Sequence, residues 1–216
     1  MSNFIEKIKS ILKLRNKKSI KRRSKLKTRG QSLVEIAISL PFILILLSGL
    51  MEFGFMLNYY LSLLDATRES ARFYSNLDPF NADGTDKISF YSDAAAMTID
   101  ALQPRNVNDT TRKVILDPNL DDVVISVIGA SGGHVVARYP DPTGYFQWFG
   151  NKGTALPNSI IESRLINTAP NAGILVVEVY YGYHQVLKLP WIKAFMADPS
   201  MLHAYTIMPL IAAEPN

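Results

Sequence analysis

Three groups of residues in this 216-residue chain have the types and spacing to do chemistry. The first is Gly30, Gln31 and Glu35, placed where a long basic run ends at Arg29. A cut between Gly30 and Gln31 would leave a new ammonium on Gln31 at the start of a helix, with the Glu35 carboxylate about one turn further on. In an assembly of parallel helices that carboxylate can neutralise the ammonium of a neighbour, so that two groups costly in lipid satisfy each other in one register. The second group is His134, His184 and His203, each on a strand-like segment with no acid beside it in sequence, which reads as satisfied or exposed sheet histidine. The third is a pair of oxygen-rich stretches, Asp78–Asp86 and Asp117–Asp122. Neither has the ligand spacing of a calcium loop, and both read as turns.

Other chemistries lack their residues. With no cysteine, the chain has no disulfide, thiolate zinc site, iron–sulfur cluster or cysteine nucleophile. It carries no phosphate-binding glycine loop, no Gly-x-Ser-x-Gly and no His-Glu-x-x-His. The expectation is a protein that is not an enzyme and needs no cofactor or metal. Net charge misleads about partners, because it is segregated. Residues 1–30 hold 12 basic side chains against one acid, while residues 31–216 hold 11 basic and 18 acidic ones. A basic leader before an acidic body is no footprint for nucleic acid.

The element that must position Gly30 and Glu35 is the most distinct in the chain. From Ile36 to Leu64 only Glu52 is charged, and the segment from Leu33 to roughly Leu57 meets the roughly 20 apolar residues that a membrane-spanning helix requires. Twelve Lys/Arg precede it and only Arg68 and Arg72 follow closely, which places the N-terminus in the cytoplasm and the rest outside. Phe4, Ile5, Ile8, Ile11 and Leu12, interleaved with lysines, read either as a basic amphipathic helix on anionic lipid or as a solvated tail. Pro41 removes one helical hydrogen bond and predicts a kink. Gly49 and Gly54 are small spots where another helix can approach. Glu52 is expected at the outer interface, as a boundary residue or facing a partner.

Beyond the span, helix-friendly residues run on to about Ser75 as a stalk, ended by the turn chemistry of Asp78–Gly84. Ser92–Gln103 predicts a second helix capped by Ser92 or Asp93. Lys113–Leu116, Val123–Ile128, Val135–Tyr139, Gly173–Tyr183 and Ala204–Leu210 predict strands, and Asn158–Asn167 a short helix. The aromatic cluster 145–149 reads as core packing or a contact patch. The fold class is therefore α+β: a long N-terminal transmembrane helix and a small extracytoplasmic domain with an antiparallel sheet. The domain boundaries expected are a leader at 1–30, a transmembrane and stalk helix at 31–75, and a domain at 76–216.

The combination of basic leader, Gly30, Glu35 and a long apolar helix resembles the type IV prepilin layout. Arg29–Phe42 (RGQSLVEIAISLPF), Gly49–Gly54 (GLMEFG) and Ala66–Arg72 (ATRESAR) resemble, more specifically, TadE-like proteins, the minor pilins or pseudopilins of tight-adherence (Flp-type) pilus systems. The resemblance covers residues 29–74, about a fifth of the chain. It departs from the major pilin of such systems, which usually has Tyr where Ile36 stands and is very small. The resemblance implies cleavage of the leader at Gly30–Gln31 by a prepilin peptidase and an assembly role for Glu35. It also implies residence in a bacterial inner membrane, and other pilins and pilus-platform proteins as partners beside membrane lipid. Two other readings stand beside it. One is a signal-anchored sensor or adhesin that retains its leader; the other is a membrane-tethered hydrolase.

Overall fold

The computed structural model describes residues 2–103, 108, 114–166 and 170–215, with side chains from Gly30 onward. The leader's side chains and Lys113 therefore lie outside the described residues. The chain divides into two compact units, Met1–Met51 and Glu52–Asn216. The first is helical throughout its described length. It is the start of α1 (Ser2–Tyr74), which runs through Pro41 without interruption.

The second unit is an α+β domain, as the alternation of the strands predicts. Its elements are the last part of α1, then α2 (Ile88–Leu102), β1 (Asp122–Ser131), β2 (His134–Tyr139), β3 (Phe146–Gln147), α3 (Asn158–Glu162), β4 (Ala172–Tyr183), α4 (Pro190–Lys193) and β5 (Ser200–Pro209). All pairings are antiparallel, in the order β2-β1-β4-β5, with β3 sharing the β2 edge of β1. Gly132 and Gly133, at φ of 58° and 83°, form the two-residue turn between β1 and β2. A side chain is disfavoured at both positions, and such a turn matches the strand twist.

The two faces of the sheet bury different sets. Val123, Ile125, Val127, Leu175, Val177, Val179 and Ala204 join α1 and α2 through Leu63, Ala66, Ala71, Phe90, Tyr91 and Ala94 in the larger core. The opposite face buries Ile128, Ala130, Ile174 and Val176 under Leu156 and Ile161 of the α3 region. The period of two sends successive β-branched residues to opposite cores, so β1 and β4 are buried along nearly their whole length. Small polar residues stitch α1 to this body: Thr67 meets Thr206 at 2.8 Å, and the Ser70 hydroxyl donates to the Ala94 carbonyl at 2.8 Å.

Three expected elements differ. The second helix starts at Ile88, with Lys87 as an N-cap that makes no side-chain cap bond, rather than at Ser92 or Asp93. The Lys87 amide donates to the Pro79 carbonyl and Phe80 bridges Asp86, so the turn fixes the start, and buried Phe90 and Tyr91 draw the first turn inward. Val114–Leu116 is not strand, and α3 is confined to Asn158–Glu162.

Candidate functional site on the first helix

From Gly30 to Met51 the helix presents its side chains outward. Leu33, Val34, Ile36, Ile38, Phe42, Leu46 and Leu50 are among the large apolar residues exposed. An apolar helix is not stable in water with that surface bare, because each exposed CH₂ costs about 0.8 kcal/mol. Gly30–Tyr74 is long and apolar enough to cross a membrane. Glu35 is exposed on this stretch. Its backbone carbonyl accepts from the Ser39 hydroxyl at 2.8 Å, a local bond that absorbs a polar side chain two residues ahead of Pro41. A Cβ at Gly30, Gly49 or Gly54 would meet no atom within 4 Å, so packing among the described residues does not require glycine at any of them.

Glu52 behaves otherwise. It is 2% exposed, buried in the second unit rather than lying at an open interface. Its Oε1 accepts from the Tyr183 hydroxyl at 2.6 Å and from the Val186 amide at 2.8 Å, and its Oε2 from the Leu187 amide at 2.9 Å. The carboxylate thus ends β4 by taking the first free amides beyond it. Burial and the neighbouring carboxylate push the Tyr183 hydroxyl well above its usual range. Tyr59, two turns on from Glu52, stacks on Tyr181 at 5.8 Å and meets Tyr183 edge-on at 5.4 Å. Burial and that Tyr59 contact raise Tyr181 to about 12. Both phenols therefore stay neutral hydrogen-bonding groups at any physiological pH.

The fold also brings each histidine to an acid that is distant in sequence. His203 Nε2 lies 2.9 Å from Glu178 Oε2, His184 Nδ1 3.0 Å from Asp198, and His134 Nδ1 3.8 Å from Glu162. Glu178 is fully buried, and also accepts from the Thr154 hydroxyl and from the Ala155 amide at 3.0 Å. Tyr180 donates to the Gly153 carbonyl at 2.9 Å and lies 3.3 Å from Glu178. This cluster contains a hydroxyl, an imidazole and a carboxylate, but in the wrong order for nucleophilic catalysis. There the imidazole stands between hydroxyl and acid and takes the proton. Here the carboxylate stands between, and the hydroxyl donates to it. The arrangement clamps the 153–156 segment onto the sheet.

The aspartates organise loops. Asp122 accepts from the amides of Val123, Phe149, Asn151 and Lys152, which folds the stretch after the aromatic cluster over the end of β1. Asp121 accepts from Gly182 at 2.7 Å and Asp117 at 2.8 Å, and burial raises its carboxyl above the ordinary range. Asp78 and Asp83 accept from amides two residues on. These are the turns that the composition predicts. Sequence reasoning did not find Glu178, Asp198 or Glu162 as histidine partners, since only strand pairing and loop closure bring them near.

Against this geometry, the family model described as TadE-like protein matches residues 30–72. The matched segment coincides with the described apolar part of α1 and its continuation past Glu52, the same region that carries the resemblance in sequence. No curated protein and no solved structure matches the chain.

Proposed function

We propose that this chain is a minor pilin or pseudopilin of a tight-adherence pilus or related secretion machine, acting in pilus assembly and surface adhesion. The observation that carries the reading is the TadE-like match at 30–72, lying on a helix whose apolar side chains are exposed where the match begins. In this reading the chain sits in a bacterial inner membrane with its N-terminus in the cytoplasm. A prepilin peptidase cuts between Gly30 and Gln31. Gly30 suits that cut, since a residue without Cβ lets the peptidase backbone approach closely and no contact among the described residues needs it. Glu35, exposed one turn later, then meets the ammonium of Gln31 on a neighbouring subunit. The protein is the substrate of the peptidase and has no reaction of its own.

The test is the mature mass in cells that express the peptidase. A chain beginning at Gln31, and a full-length precursor from Gly30→Leu, are expected. A retained leader in the wild-type chain would replace this reading with the signal-anchored one.

A further inference from the structure

The segment 184–199, which joins β4 to β5, is held closed at its neck. Asp198 Oδ1 lies 3.0 Å from His184 Nδ1 and accepts from the Gln185 amide at 3.4 Å, and the buried Gln185 side chain donates to the Met196 carbonyl at 2.9 Å. Between these ties the chain makes the short helix α4, which tucks Ile192 inward. It leaves Val186 (48%), Trp191 (38%) and Phe195 (89%) exposed, with exposed Lys188 and Lys193 among them. A braced loop that turns three large apolar side chains outward is shaped for an apolar surface.

The position of the loop identifies that surface. Glu52 binds the amides of Val186 and Leu187 directly, and Glu52 lies within the uncharged run of α1. If the span ends near Leu57, Glu52 is about 7.5 Å below that end at about 1.5 Å per residue. That depth falls inside the roughly 5–10 Å to which interfacial amphipathic segments bury their apolar faces. The composition fits as well: tryptophan favours the head-group level, and lysines extend their ammonium to it while their stems stay in apolar surroundings. Tyr59, Tyr60, Tyr181 and Tyr183 stand at the same level of the helix or just beyond it, as in an aromatic belt.

We infer that the loop 186–196 is a second membrane contact, inserted into the outer leaflet of the membrane that α1 crosses, with Glu52 as the tie that sets its depth. The inference rests on the membrane-spanning reading of α1. Glu52 then has a reason to be charged within an apolar span: the exposed amides at the end of β4 would otherwise enter the interface unsatisfied.

The experiment uses the full chain in phosphatidylethanolamine–phosphatidylglycerol vesicles diluted to one copy each. Trp148→Phe leaves Trp191 as the sole tryptophan. Nitroxide lipids labelled near the head group are expected to quench Trp191 about two-fold more than lipids labelled near the chain end, the pattern of shallow insertion. A second chain, Leu46→Trp with Trp148→Phe and Trp191→Phe, reports the span itself and is expected to be quenched mainly by the deep label. Deep quenching at position 46 with none at Trp191 overturns the inference and leaves the span intact; another subunit would then cover the loop. No quenching at either position removes the span, and the inference with it.

Discussion

Two glutamates stand 17 residues apart on one apolar helix, and the fold treats them oppositely. Glu52 is buried and takes three hydrogen bonds from the last residue of β4 and the loop beyond it, whereas Glu35 is exposed among leucines and isoleucines. The glycines divide in the same way. Gly49 has open space where a Cβ would go, while a Cβ at Gly173 would stand 1.9 Å from the Leu210 carbonyl oxygen. At Glu52 and Gly173 the residue type answers to contacts within the chain. From Gly30 to Met51 residue types answer to surroundings that the chain does not supply. The contrast separates residues whose loss disrupts contacts within the fold from residues whose loss leaves those contacts intact.

The sharpest way to break that contrast is at its internal end. In Gly173→Ala the new methyl would meet three backbone atoms, from Leu210, Ala213 and Glu214, that no rotamer change can move. The expected cost is about 3 kcal/mol, at the upper end for overpacking, read as a fall in the urea midpoint. Hydrogen exchange should show residues 210–215 released from β4. Glu52→Ala removes the acceptor for two amides and a phenol, and at about 1–3 kcal/mol for a buried group left unsatisfied should also cost about 3 kcal/mol. Glu52→Gln is milder, at about 1–2 kcal/mol, because one of the two oxygens becomes an NH₂ facing a donor. Wild-type stability in Glu52→Ala would show that water replaces the carboxylate, and the contrast between the two glutamates would fail.

These substitutions also show what was legible in the sequence. The apolar span, the turn chemistry, the second helix and the strands β1, β2, β4 and β5 were all readable, because each rests on periodicity or on residues that constrain their own backbone. Of the candidate site residues, the ones that sequence pattern singles out are those that face outward. Gly30 and Glu35 stood out because a charge ends or interrupts a pattern. The role of Glu52 did not, since its partners lie beyond residue 182 and come near only through the pairing of β1 with β4 and the packing of β4 on α1. The same reason hid the Glu178–His203 pair. β3, with two residues, and α4, with four, are too short for any period.

At the outward-facing end the effects on folding are expected to be small. Glu35→Ala should change stability by no more than about 0.5 kcal/mol, the range for exposed positions. Crosslinking of the processed chain to other pilus subunits should nevertheless be lost. Glu35→Gln should match it, because an amide cannot neutralise an ammonium. Gly49→Ala should raise helix stability by about 0.5–1 kcal/mol while weakening crosslinking, if a neighbouring helix approaches there. Full crosslinking in Glu35→Ala with normal cleavage at Gly30 would remove the charge-pairing role. Full crosslinking in Gly49→Ala would remove that glycine as a packing position.

The smallest expected effect is a slope rather than a step, and it sharpens the internal side of the comparison. Asp121, like Glu52, is buried and bonded by backbone amides, yet burial outweighs those amides and leaves its carboxyl raised. Asp117 raises it further, while His184 pulls the other way. A carboxyl raised on folding binds its proton more tightly in the native state than in the unfolded one. Its contribution to stability is therefore greatest in acid, and is lost as pH rises from the unfolded aspartate value of about 3.9 through the raised native value, after which it is flat. Asp121→Asn removes that titration. It also costs stability at every pH, since one of the two amides, Gly182 or Asp117, loses its acceptor. The difference in unfolding free energy between wild type and Asp121→Asn, followed from mildly acid to neutral pH by urea titration, should shrink as pH rises and then level off. A difference that grows with pH would mean that the amides of Gly182 and Asp117 outweigh burial, which would place Asp121 with the carboxylates that the fold fully compensates.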